Sequence, residues 1–146
     1  MPLAGSVPVL VWHKRLAATD AQHQTGNPTG NLRLTKARQY NQQDIPHTTW
    51  FRISLFGTAA WSQSVDGNQN QIEVAVVRFD VTIMGASYGG IDLEVDHAPH
   101  RISDQANHAT VLHWGPLEEV LRATDYTGRM LSILLMSDGS FRLEIS

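Results

Sequence analysis

The sequence predicts a mainly β protein, a barrel or sandwich of seven or eight short strands with one clear helix. Three observations predict it. Apolar and polar residues alternate in short runs, as in Leu32-Arg33-Leu34 and Ile91-Asp92-Leu93-Glu94-Val95, the period of a strand with one wet face. Gly, Pro and Asp-Gly signals separate those runs. Only Gly115-Pro116-Leu117-Glu118-Glu119 carries a helix start, with Pro at the first position and acids in the first turn.

Residues 7–12 are apolar and β-branched, a first strand leading into His13-Lys14-Arg15. Residues 17–30 are polar, with Gly26, Pro28 and Gly30 and no large apolar side chain, and read as a surface loop. A structureless loop of about 12 residues inside a small domain is uncommon and often functional. Leu32 and Leu34 mark a half-buried strand, and residues 36–43 a short helix or turn. Residues 50–56 read as another strand. Residues 61–70 are polar and contain the turn signal Asp66-Gly67.

Ile72, Val74 and Val76 alternate, and Val77, Phe79, Val81 and Ile83 continue in the opposite phase. That slip predicts a β-bulge, which would bend the strand. Residues 85–90 read as a turn, 91–95 as a strand, and 96–108 as a second long polar loop. A strand follows at 110–114, then the helix with Leu117, Val120 and Leu121 as its buried stripe. Met130 to Met136 is a buried strand, and Asp138-Gly139 turns it into the alternating Phe141-Arg142-Leu143-Glu144-Ile145.

With 146 residues the chain has the length of one domain. We find no internal repeat or dividing linker; residues 1–8 read as a leader or linker remnant and 9–146 as the domain. Cysteine is absent, which excludes disulfide scaffolds and thiolate chemistry and suits a reducing cytosol. No apolar run nears the roughly 20 residues that span a bilayer. Met1-Pro2-Leu3-Ala4-Gly5-Ser6 lacks a basic n-region, so a cytoplasmic protein with no membrane partner is expected. The net charge of −3 argues mildly against nucleic acid, but it hides an asymmetry. Residues 1–60 carry +4 and residues 61–146 carry −7, and such asymmetry points to an anionic partner. Arg outnumbers Lys nine to two; the guanidinium fork matches phosphates and guanine edges.

Catalytic patterns fail one by one. A phospholipase D-type site needs His and Lys two apart, whereas His13 and Lys14 are adjacent and would face opposite sides of a strand. Asp92 and Glu94 offer spaced acids for a metal nuclease, but no Lys follows Lys36. His97, His100 and His108 with Asp96 and Asp104 crowd one loop. Those ligand types suit zinc, but an irregular loop does not order them, and no metal or cofactor is assigned. There is no G-x-S-x-G serine, and Gly26-Asn27-Pro28-Thr29-Gly30 has the wrong spacing for a P-loop. What remains is two polar loops rich in Asn, Gln, His, Thr and Arg, the side chains that read base edges.

The segments His13-Lys14-Arg15-Leu16-Ala17-Ala18-Thr19-Asp20, Gly30-Asn31-Leu32-Arg33-Leu34-Thr35, Thr49-Trp50-Phe51-Arg52, Leu55-Phe56-Gly57 and Asn107-His108-Ala109-Thr110-Val111-Leu112-His113-Trp114-Gly115 resemble one family. It is the C-terminal DNA-recognition domains of phospholipase D-type restriction endonucleases, the BfiI and NgoAVII group. The resemblance covers about residues 9–114. It implies a plant B3-like, seven-stranded DNA-binding pseudobarrel with one or two short helices and two arms that grip the major groove. The arms would be residues 18–33 and 97–108.

Within them the expected base readers are Gln22, His23, Gln24, Asn27, Asn31 and Arg33, then Arg101, Ser103, Asp104, Gln105 and Asn107. Thr25, His100 and His108 join them as DNA contacts, and Lys14, Arg15, Lys36 and Arg38 are the phosphate contacts. The expected function is sequence-specific recognition of a short site in double-stranded DNA, without catalysis. A nuclease domain in the same or a separate chain would be its partner. Two other readings stand beside it. One is a carbohydrate- or peptide-binding β-barrel using Trp12, Trp50, Trp61 and Trp114 as platforms; the other is a small metal-dependent hydrolase at the histidine loop.

Overall fold

One curled, half-barrel sheet organises the computed structural model, which describes residues 6–23, 30–34, 38–39, 46, 48–99 and 109–146, with the backbone alone at 38 and 39. Its strands are β1 (Pro8–Arg15), β2 (Asn31–Leu34), β3 (Arg38–Gln39), β4 (Ser62–Val65), β5 (Gln71–Ile83), β6 (Ala86–His97), β7 (Thr110–His113), β8 (Met130–Met136) and β9 (Phe141–Ile145). They lie in the order β2-β7-β6-β5-β9-β8-β1-β3, with β4 also paired to β5. The β5–β9 pairing is parallel and the other pairings are antiparallel. The protein is therefore mainly β, as predicted, with nine strands among the described residues in place of seven or eight.

Alternation positions the core. Val77, Phe79, Val81 and Ile83 of β5, Leu93 and Val95 of β6, Leu131 and Ile133 of β8 and Leu143 and Ile145 of β9 point inward and are buried. Each full burial of such a side chain is worth about 1.5–3 kcal/mol. Gly115–Leu117 forms a 3-10 turn that runs into α1 (Glu118–Ala123). Leu117 and Leu121 are buried and Val120 packs against the core, the stripe the sequence predicts. Asp66 caps its turn as expected, accepting from the Asn68 and Asn70 N–H groups at 2.8 and 2.9 Å.

Residues 50–56 are helical, not a strand, with a π-helical turn at Phe51–Leu55. Phe51, Ile53 and Leu55 do alternate with Arg52 and Ser54, but a strand would expose Trp50 and Phe56. The helical turn buries Trp50, Phe51, Leu55 and Phe56 together and gives up only Ile53, which is 67% exposed. Trp12 and Trp50 meet Phe51 edge-on, at ring centroid distances of 5.3 and 5.2 Å, a favoured aromatic geometry. Gly57 ends the turn where a Cβ would collide with the Ile53 carbonyl oxygen.

Four further expectations are corrected. Arg38 and Gln39, expected in a short helix or turn, form β3 against His13 and Trp12. No bulge lies at 76–77: the β5–β6 register is regular from Glu73 to Val81 and shifts only between Val81 and Thr82, and the phase slip leaves Val76 exposed. The turn at 85–90 is only Met84-Gly85, both with positive φ (52° and 85°). That two-residue turn matches strand twist, so Gly89 and Gly90 belong to β6. Val7 and Pro8, read with the leader or linker remnant, join the sheet: Val7 and Ser137 exchange backbone and side-chain hydrogen bonds, and Pro8 pairs with Met136. Among the described residues no helix is long and apolar enough to cross a membrane.

Candidate nucleic-acid interface

The two polar segments isolated in the sequence have different roots. The first begins where β1 ends. Residues 18–22 turn, and their backbone, outside any strand, needs side-chain partners. Asp20, 4% exposed, accepts the Ala17 N–H at 2.9 Å and pairs with Lys14 Nζ at 3.0 Å. Its carbonyl accepts the Trp114 indole N–H at 2.9 Å. Gln22, also buried and at φ 63°, closes the root. Its Nε2 donates to the carbonyls of Thr19 (2.8 Å), Asp20 (3.3 Å) and Asn31 (3.3 Å). Its Oε1 accepts the Gly30 N–H at 2.6 Å.

These contacts correct the reading of 17–30 as wholly surface: Asp20, Ala21 and Gln22 are buried. Gln22 is a brace, not an exposed base reader. His23 Nε2 lies 2.8 and 3.2 Å from the Leu121 and Thr124 carbonyl oxygens, so it ties the root to α1. Lys14 is half-buried on Asp20, which balances its charge. Arg15 is exposed and donates one N–H to the Gly128 carbonyl at 2.9 Å. Asn31 is half-exposed, and Arg33 is exposed on β2, an end strand of the sheet. Gln24, Thr25, Asn27, Lys36, His100, Arg101, Ser103, Asp104, Gln105, Asn107 and His108 lie outside the described residues, as does the side chain of Arg38.

The second root is a strand ladder. His97 pairs with Thr110 in register, and the Ala98 N–H donates to the Ala109 carbonyl at 2.7 Å. His97 and Ala98, expected in the polar arm, are buried, so the arm is shorter by its first two residues. His97 Nδ1 lies 2.9 Å from Thr110 Oγ1. Beside it, Arg52 holds Glu73 through two hydrogen bonds (3.1 and 2.9 Å) and stacks on Trp61 at 4.6 Å.

The register relates the two roots. Asn31 pairs with His113, and Leu34 with Thr110. The first segment therefore returns at one end of the β2–β7 pair and the second at the other. Three steps of about 3.4 Å separate those ends by roughly 10 Å.

Sequence reasoning missed one cluster on this strand pair's flank. Asp96 was expected on a wet strand face but is 5% exposed, and His113 Nε2 lies 2.6 Å from its Oδ2 and 3.6 Å from Glu94 Oε2. Among the described residues, a metal-type set of Glu94, Asp96 and His113 thus forms on the strands. Trp12, Trp50 and Trp114 are buried and serve the core, so they are not stacking platforms. A groove of about 460 Å³ lined by residues that include Val76, Arg78, Asp80 and Phe141 contains no tryptophan. No protein-family model matches the chain, and no curated protein matches it either.

Proposed function

We propose that the chain is a sequence-specific recognition domain for double-stranded DNA, without catalysis of its own, which serves a restriction nuclease domain in the same or a separate chain. One observation carries the reading. Two segments rich in Asn, Gln, His and Arg return to the sheet at the opposite ends of a single strand pair, roughly 10 Å apart. The major groove is about 12 Å wide. Exposed Arg33 lies between the two roots, and among the described residues it has no ion-pair partner. Arms at this spacing can straddle a groove, with Arg33 and Arg101 reading guanine edges and Asn or Gln reading adenine. The B3-like resemblance supports the same use of the two segments. Asp92 and Glu94 of β6 are exposed, while Asp96 is buried against His113, and a near-neutral net charge limits non-specific sticking while the arms keep local attraction.

A gel-shift series over a library of short duplexes tests the proposal. The expected result is tight binding to one short sequence that weakens as salt rises, because phosphate contacts release counterions. Uniform weak binding to every duplex would sink it. Arg33→Ala and Arg101→Ala should each cost about 1–3 kcal/mol and relax discrimination at one base pair.

A further inference from the structure

We propose that Glu94, Asp96 and His113 form a binding site for one first-row divalent cation of the zinc class. The three residues come to one face by register. Glu94 and Asp96 are two apart on β6 and share a side of the strand. Asp96 pairs with Val111 on β7, and His113, two residues further on, returns to the same side next to Glu94. Their ligand atoms all lie within 4.8 Å of one another. Ligands bound at about 2.0–2.2 Å in a tetrahedral site stand roughly 3.3 Å apart. The His113–Glu94 separation of 3.6 Å is already close to that, and the His113–Asp96 contact of 2.6 Å must open by under about 1 Å.

The chemistry fits the geometry. The Asp96 side chain is 7% exposed, and a carboxylate at that depth is paired or bound to a metal. The imidazole Nε2 points between two carboxylate oxygens, groups that only accept, so it holds a proton where a cation would sit. A cation takes the Nε2 lone pair and both carboxylates, the displaced proton passing to Nδ1 of a neutral ring or to solvent from an imidazolium. Between the ligands, Val95 and Leu112 pair in register and are fully buried, which fixes the two strands that bear them. Glu94 is half-exposed and leaves an entry path and a fourth position for water. A set of one nitrogen and two oxygens selects zinc over Mg²⁺ and Ca²⁺, which favour all-oxygen shells.

The inference does not rest on DNA binding, and its test uses metal alone. Zinc chloride is titrated into the full chain by calorimetry, with imidazole nitrogen resonances followed by NMR. The expected result is one saturable site per chain, weakened by roughly tenfold or more in both Glu94→Gln and His113→Gln, with excess Mg²⁺ failing to compete. The Nε2 resonance of His113 should move on zinc addition. Glu94→Gln alters a half-exposed side chain, so it keeps the test readable if a change at Asp96 impairs folding. Absence of a saturable site, an unmoved His113 resonance, or weakening in only one of the two variants would overturn the proposal. The last would mean an adventitious ion on one of the chain's seven histidines.

Discussion

The two roots of the polar segments hold the chain by opposite means. At the first, the backbone leaves the sheet in a turn, and buried side chains satisfy it: the Asp20 carboxylate, the Gln22 amide and the Trp114 indole. At the second, β6 and β7 carry their ladder outward to Ala98 and Ala109, and side chains only supplement it. A segment that leaves from two paired strands is held by its own backbone. One that leaves from a turn needs dedicated polar residues, which in the sequence look the same as ligand contacts.

That difference makes the first root the more fragile to single substitutions. Gln22→Ala removes an amide that serves the Gly30 N–H and three carbonyls. Each buried group left unsatisfied costs about 1–3 kcal/mol, so a loss of roughly 3 kcal/mol is expected in urea unfolding. Gln22→Gly loses the same amide but relieves the positive φ, so it should cost less than Gln22→Ala. Equal stability of both variants and the parent would show the brace to be idle. Next in size, Lys14→Met leaves the buried Asp20 carboxylate with its Ala17 N–H as the remaining described partner. A charged hydrogen bond is worth about 1.5–3 kcal/mol, and a double-mutant cycle with Asp20→Asn should recover a coupling of about 2 kcal/mol.

How far the sequence could be read follows the same division. Strands with strict alternation, such as β2 and β9, were legible, as were the Asp66-Gly67 and Asp138-Gly139 turns and the Leu117–Leu121 stripe. Residues 50–56 were not, because Phe51, Ile53 and Leu55 satisfy both periods. Only the presence of a half-open barrel needing four large side chains decides for the helical turn. Gly89 and Gly90 resemble a turn by composition, whereas the turn geometry is met one step earlier, at Met84-Gly85. At the candidate interface, sequence reading isolated both segments but could not tell Gln22 and His23, which hold the root, from residues free to meet a ligand. Glu94, Asp96 and His113 were invisible as a group, since only the β6–β7 register joins them.

The second root should respond weakly to the same kind of test. Thr110 is fully buried, and Thr110→Val keeps its shape while removing the hydroxyl 2.9 Å from His97 Nδ1. A loss of about 1 kcal/mol is expected in urea unfolding, that of one neutral hydrogen bond. A loss as large as that of Gln22→Ala would erase the contrast between ladder and brace.

Acid offers the finest separation of the two. Glu73 pairs in register with His97 at the second root, and the hydrogen-bonded Arg52 guanidinium holds its carboxyl below the usual carboxylate range. Stability from this pair is therefore full above the unfolded value of 4.5 and is lost as pH falls through the lowered folded value. The pair is about a quarter exposed on each side, so it is worth about 1 kcal/mol or less. Thermal melts of the parent and Glu73→Gln, taken from neutral pH to pH ~3, should show a small gap that closes only in the acid part of that range. The Gln22→Ala gap should stay constant there, because an amide does not titrate. Other carboxylates lower both curves together, so the difference between parent and variant is the quantity to read. A Glu73→Gln gap that stays constant into acid would mean that the Arg52 pair contributes nothing through its charge, leaving the second root to its backbone ladder, the His97–Thr110 contact and the Trp61 stack.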